Sequence, residues 1–223
     1  MISVVIPAYN AERTLAAGLR ALFAQIALWP QPVEVIVVDD GSQDGTASLA
    51  RALGAQVVVQ TNQGPAAARN HGVAVAQGDI ILFTDSDCEP APGWLAALVA
   101  ALADPEVVGA KGVYLTRQPG LVPRFVQLEY EDRYDRMAGA ETINFVDTYS
   151  AAYRRDVFLA NGGFDPAFLI NEDQEFSFRL AEKGYRLVFA PAARVYHRHN
   201  PTLRAYIRRK ALIGYWKVLV ARR

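Results

Sequence analysis

The chain has 223 residues, 52% of them apolar and 21% charged, which is enough for one hydrophobic core and is the composition of an ordinary globular α/β domain. Its 23 basic and 23 acidic residues cancel, which argues against a general nucleic-acid binder, and the single cysteine, Cys88, excludes an intrachain disulfide or a Cys-rich zinc site. No basic leader opens the sequence and no apolar run approaches the ~20 residues that span a bilayer, so the chain reads as soluble or peripheral, at the cytoplasmic face of a membrane.

Ile2 to Ile6 reads as a strand stopped by Pro7, followed by a helix carrying Leu15, Leu19, Leu22, Phe23 and Ile26, with Asn10 as N-cap and Glu12 in the first turn. Trp29-Pro30-Gln31-Pro32 ends it. Val33 to Val38 is a second strand, running into Asp39-Asp40-Gly41-Ser42. A short helix from Thr46 to Leu53 stops at Gly54, and Gln56 to Gln60 is a third strand. Gly64-Pro65 opens a helix to Ala76, with Pro65 suited to the first helical position. Ile80 to Thr84 is a fourth strand, ending in Asp85-Ser86-Asp87-Cys88. A helix from Pro92-Gly93 to Ala103 and a strand from Val107 to Leu115 follow.

Beyond residue 115 the periodicity weakens. A helix is expected near Pro123 to Met137, another from Glu172 to Lys183 closed by Gly184, and a strand from Arg186 to Ala190. Pro191 to Asn200 reads as a loop carrying His197 and His199. After Glu182 there is no acid, while eleven Lys or Arg follow. The segment from Leu203 to Arg223 mixes those cations with Leu, Ile, Tyr and Trp. It reads either as a surface for anionic membranes or phosphates, or as a solvated helix packed by one face.

Alternating strands and helices predict a mostly parallel sheet flanked by helices, whose ligands sit outside the carboxyl ends of the strands. Pro7 to Asn10, Asp39-Asp40 and Asp85 to Asp87 all follow strands and should converge on that edge. Asp85 and Asp87, one residue apart, form either a divalent-metal site or a solvated Asp-rich turn. Hard oxygen ligands suit Mg²⁺ or Mn²⁺, and Mg²⁺ in turn implies a phosphate-bearing substrate. His197 or His199 could complete the sphere. There is no G-x-G-x-x-G and no P-loop, so Asp40 is the candidate acceptor for a base imide and Arg69 for base or phosphate. Glu172-Asp173, before or within a first helical turn, reads either as dipole-stabilising, capping acids or as a carboxylate that takes a proton from an attacking hydroxyl. A helix N-terminus lowers its pKa and desolvation raises it, and the sequence leaves the balance open.

Six segments, in this order, closely resemble family-2 glycosyltransferases: Val4 to Asn10, Val37 to Thr46, Gly64 to Asn70, Asp85-Ser86-Asp87, Gly162 to Asp165, and Glu172 to Phe176. The resemblance spans about residues 1 to 200. It implies a single Rossmann-like A-type glycosyltransferase domain, with a nucleotide-sugar-binding half (1–115), an acceptor half (116–200) and the basic segment 201–223. It also implies inverting, metal-dependent transfer of one sugar from a nucleotide sugar, UDP-linked as the leading case, to a hydroxyl of a glycan, a lipid-linked molecule or another acceptor. Carried over, Pro7, Ala8, Tyr9 and Asp40 bind the base and Arg69 assists. Asp85 and Ser86 face the ribose or sugar, Asp87 holds the metal with Asp85, a late contact comes from His197 or His199, and Asp173 is the general base. The Gln-x-x-Arg-Trp signature of processive synthases is absent, which implies single transfers. Two rivals remain from other classes: a sugar nucleotidyltransferase, which would carry a Gly- and Arg-rich loop where Pro7 to Asn10 stands, and a non-catalytic nucleotide-sugar-binding scaffold.

Overall fold

The computed structural model describes residues 1–221; Arg222 and Arg223, the end of the basic segment, lie outside the described residues. The strands are β1 (Ile2–Ala8), β2 (Val33–Asp39), β3 (Gln56–Val59), β4 (Ile80–Thr84), β5 (Cys88–Pro90), β6 (Val107–Leu115), β7 (Ser150–Arg154) and β8 (Arg186–His197). The helices are α1 (Leu15–Ile26), α2 (Thr46–Ala52), α3 (Pro65–Val75), α4 (Trp94–Ala101), α5 (Leu121–Met137), α6 (Arg155–Ala160), α7 (Glu172–Glu182) and α8 (Leu203–Val220). One sheet runs in the order β3-β2-β1-β4-β7-β6-β8-β5. Pairing is parallel among β3, β2, β1 and β4 and between β6 and β8, and antiparallel where β7 enters between β4 and β6.

Strand alternation sorts the core into two faces. Val4, Ile6, Val37 and Leu82 pack under Leu15, Leu19 and Leu22 of α1 and Trp94 and Leu98 of α4. Val5, Ile36, Val38, Ile81 and Phe83 pack against Ala68 and Val73 of α3 and Phe158, Phe164 and Phe176 on the other face. A sheet buried on both faces needs the continuous apolar runs that the sequence shows.

The structure corrects several local expectations. Strand β1 does not stop at Pro7. The Ala8 carbonyl accepts from Asp40 N on the β2 side, so Pro7 faces β4, where pairing has already ended at Val5 and Phe83. The missing N–H therefore breaks no ladder. Asn10 is not the N-cap of α1: it sits at φ 48°, receives the Gln43 N–H and donates its own to Ser42 Oγ. Glu12 lies outside the first turn of α1 and accepts instead from Gly45 N, at the start of α2. The expected loop from Pro191 is strand up to His197. Lys111 pairs with Phe189 but Val113 with Arg194, and this irregularity absorbs Pro191. That extension carries His197 alongside Cys88 on β5. Helix α1 approaches β5 at Gly18, where a β-carbon would collide with the Cys88 carbonyl oxygen. Gly18 thereby lets α1 buttress the backbone just after Asp87.

Candidate active site

The carboxyl ends of β1, β2 and β4, the end of β8 and one face each of α5 and α8 enclose a cavity of about 1000 Å³. Every candidate named from the sequence lines it: Pro7, Ala8, Tyr9, Asp40, Arg69, Asp85, Ser86, Asp87, Asp173, His197 and His199.

At one end, Asp40 follows β2 directly and is buried. Its Oδ1 accepts from Gln60 Nε2 (2.7 Å) and Gln63 N (2.8 Å), and its Oδ2 from Gly64 N (2.8 Å). Gly64 takes φ +89°, a conformation open to glycine, which turns that N–H toward the carboxylate just before α3 starts at Pro65. Midway, Arg69 of α3 is buried between two acids: Nη2 to Asp85 Oδ1 and Nη1 to Glu172 Oε1, both 2.6 Å. Burial lowers the guanidinium pKa, but the two carboxylates outweigh it and raise it. Arg69 thus ties the end of β4 to the start of α7 while still lining the cavity.

Asp87 is different. Its side chain is 47% exposed, and His197 Nε2 lies 3.3 Å from Oδ2. Burial raises its pKa, but the hydrogen bond and charge of His197 win and hold it below the usual carboxylate range. Donor atoms of Asp85, Asp87 and Cys88 lie within 4.8 Å of one another. Burial, then the charges of Asp85 and Asp87, keep the Cys88 thiol protonated. Two hard oxygen donors, one ionised and open to water, fit a divalent ion such as Mn²⁺ or Mg²⁺.

The two histidines separate. Gln127 Nε2 donates to the Tyr114 carbonyl and to Glu131, so its Oε1 accepts from His199 Nε2 (3.0 Å). Burial, then His197, push the His199 pKa down to about 4, so the ring is neutral and its Nδ1 is an acceptor. His197 Nδ1, 3.1 Å away, must then donate to it. With Nδ1 committed to His199, His197 meets Asp87 through Nε2, a pairing that a cation or proton between them makes favourable.

Facing this group, Asp173 sits in the first turn of α7. Its Oδ2 accepts from Thr148 N (3.2 Å) and its Oδ1 from Gln174 N (2.8 Å). Burial first, then the charges of Glu172 and Asp147, push its carboxyl up to about 8, against the pull of Arg69.

Residues 3–161 match the sequence pattern of Glycosyl transferase family 2. The chain belongs to this family. The pre-mycofactocin glycosyltransferase of Mycobacterium tuberculosis is 34% identical over 96% of this chain and 46% of its own length. Glycosyltransferase AglE of Haloferax volcanii is 31% identical over 85% of this chain and 64% of its own. The mannosyltransferase PcManGT of Pyrobaculum calidifontis, solved with GDP-Man and Mn²⁺, superposes with a TM-score of 0.68 at 26% identity, over 88% of this chain and 56% of that one. This family-2 chain therefore spans about half to two thirds of the length of these relatives.

Sequence reasoning missed several residues in and around the cavity. Lys111, wholly buried in β6, forms an ion pair with Asp147 and lies 4.5 Å from the centre of the Phe145 ring. A lysine between two small residues in an apolar strand signals a hidden partner, but not which one. Tyr114 stacks on Tyr149 and on His197, and Tyr130 on His199, making an aromatic wall. Helix α8 is no detached tail: Tyr206, Lys210 and Ile213 line the cavity, and Trp216 packs on Phe168.

Proposed function

We propose that this chain transfers a single sugar from a nucleotide sugar to a hydroxyl acceptor, with inversion at the anomeric carbon and with Mn²⁺ or Mg²⁺. The observation that carries the reading is the placement, in one cavity, of an ionised, half-exposed Asp87 beside His197 and a half-buried Asp173 whose carboxyl pKa is raised to about 8. Relatives named as glycosyltransferases that match most of the chain, and a structural neighbour holding GDP-Man and Mn²⁺, favour it over the scaffold reading.

In this reading Tyr9 and Asp40 take the base, Asp85 and Ser86 face the ribose and sugar, and Asp87, Asp85 and His197 hold the metal. His199 positions His197 from behind. A bound divalent ion would neutralise charge on the departing diphosphate. Asp173 accepts the acceptor's hydroxyl proton while that oxygen attacks the anomeric carbon and the bond to the diphosphate breaks on the opposite face.

The environment of Asp40 favours uridine. A carboxylate offers about four lone-pair sites, and three here already receive N–H donors. One site is left, which suits the single imide N–H of uracil or thymine better than the paired N–H groups of guanine. A thermal-shift panel of UDP-, dTDP- and GDP-sugars with and without Mn²⁺ tests this. A UDP-sugar at 100 times its Kd should stabilise the fold by about 2.7 kcal/mol. Asp87→Ala should abolish the metal-dependent part of the shift. The absence of any shift with all three donors would sink the reading.

The acceptor or its carrier is read as membrane-borne. Outward from the cavity, α8 exposes Leu203, Ile207, Leu212, Tyr215 and Val218 beside Arg204 and Arg208, and the start of α5 adds exposed Leu121, Phe125 and Leu128. No helix among the described residues is long and apolar enough to cross a membrane. Apolar side chains interleaved with arginines suit an anionic lipid surface. The chain should sediment with phosphatidylglycerol vesicles, less in high salt, and Leu203→Glu with Ile207→Glu should abolish this. Equal sedimentation of the double variant would count against it.

A further inference from the structure

The charges on the cavity wall do not balance locally. Asp85 and Glu172 share Arg69, Asp147 holds Lys111, Asp87 faces His197, and Lys210 is taken by Glu129. Arg133 of α5 and Arg209 of α8 also line the cavity, and among the described residues neither has a carboxylate within ion-pair distance. The Arg133 guanidinium is 5.0 Å from the centre of the Tyr130 ring. Arg209, from α8, lines the same cavity, as do Asp147 and the proposed base Asp173. The Tyr130 hydroxyl makes no hydrogen bond among the described residues.

Two guanidinium groups and one phenol are rich in N–H and O–H donors and short of acceptors. Two fixed positive charges from two different helices match the charge of about −2 on a phosphate monoester, and arginine forks match its geometry. We propose that Tyr130, Arg133 and Arg209 form a subsite for a phosphate group carried by the acceptor, holding the acceptor's hydroxyl next to Asp173. This rests on the glycosyltransferase reading and adds the acceptor's chemical class. The group is distinct from the donor diphosphate, which belongs with Asp87 and His197.

The test is calorimetric titration of the chain saturated with UDP and Mg²⁺, so that the donor phosphates are already in place. Probes are inorganic phosphate, mannose 6-phosphate, farnesyl phosphate in dodecyl maltoside micelles, and mannose as the uncharged control. Arg133→Gln and Arg209→Gln should each weaken the phosphate-bearing probes at least tenfold and leave UDP affinity within twofold, which also shows that the variants fold. Tighter binding of farnesyl phosphate than of mannose 6-phosphate would assign the phosphate to a lipid-linked acceptor, and the reverse order to a soluble one; either supports the subsite. Unchanged phosphate binding in both variants, or a parallel loss of UDP binding, would overturn it. If the wild type binds none of UDP, dTDP and GDP with Mg²⁺ or Mn²⁺, the glycosyltransferase reading fails, and the same phosphate titration without nucleotide still reads the arginine pair.

Discussion

Asp173→Asn should cut sugar transfer by about 10²- to 10⁴-fold, the range a positioned general base supplies, while donor binding measured by calorimetry stays within about twofold. Asn keeps the shape, and its one carbonyl oxygen can still accept from either Thr148 N or Gln174 N, but it cannot take a proton. Wild-type kcat/KM should rise with pH to a plateau above about 8, where the half-buried carboxyl has lost its proton. The variant's residual rate should lack that rise. Stability carries a second signature. The folded pKa, about 8, lies above the ordinary value of 3.8, so between these values the folded chain holds a proton that the unfolded chain releases. The contribution of this group is thus fully present below the lower value and is lost as pH rises through the upper one. Asp173→Asn should therefore gain melting temperature relative to wild type between pH 5 and 9, by about 2 to 4 °C for each kcal/mol in a domain of this size. Full transfer activity in the variant would remove Asp173 from the mechanism.

Arg69→Met should carry the largest stability cost, about 3 to 5 kcal/mol for breaking a buried ion pair from one side. The charge it leaves behind decides the size. Asp85 is 28% exposed and can rehydrate, whereas Glu172 is 7% exposed and cannot. Glu172 already has a raised pKa, burial being the main cause, and without Arg69 it must bury a charge or take a proton. Arg69→Met combined with Glu172→Gln should recover part of the loss, and a double-mutant cycle by urea unfolding reads the coupling. Strict additivity of the two substitutions would show that the pair does not tie β4 to α7.

Much of the donor half was legible in the sequence. The apolar runs from Ile2, Val33 and Ile80 each end in the polar residues that line the cavity, because a parallel strand buried on both faces must switch abruptly at the carboxyl edge. Pro65 and Gly64 marked the start of α3, and with it the place of Arg69. The second half was harder. β7, inserted antiparallel between β4 and β6, is only Ser-Ala-Ala-Tyr-Arg, with no clean alternation, and its burial comes from its neighbours. β8 was cut short at Pro191 because the irregularity that accommodates a proline exists only once β6 lies alongside.

By itself, then, the sequence determined the strand and helix rhythm of the first 115 residues, the edge where the site would form, and the side chains on its wall. These follow from local periodicity, from turn chemistry and from a resemblance carried by six short segments. Tertiary structure alone decided the partners. It put Glu172 on Arg69, 103 residues away in the chain, and Asp147 on Lys111. It turned His197 rather than His199 toward Asp87, through a hydrogen-bond relay that begins at Gln127. It also set Asp173 near Glu172 and Asp147, where desolvation and their charges raise its carboxyl pKa. The physical reason is one and the same: a pKa, a tautomer and an ion pair depend on which groups remain in contact once water is removed, and those contacts join residues the sequence holds far apart.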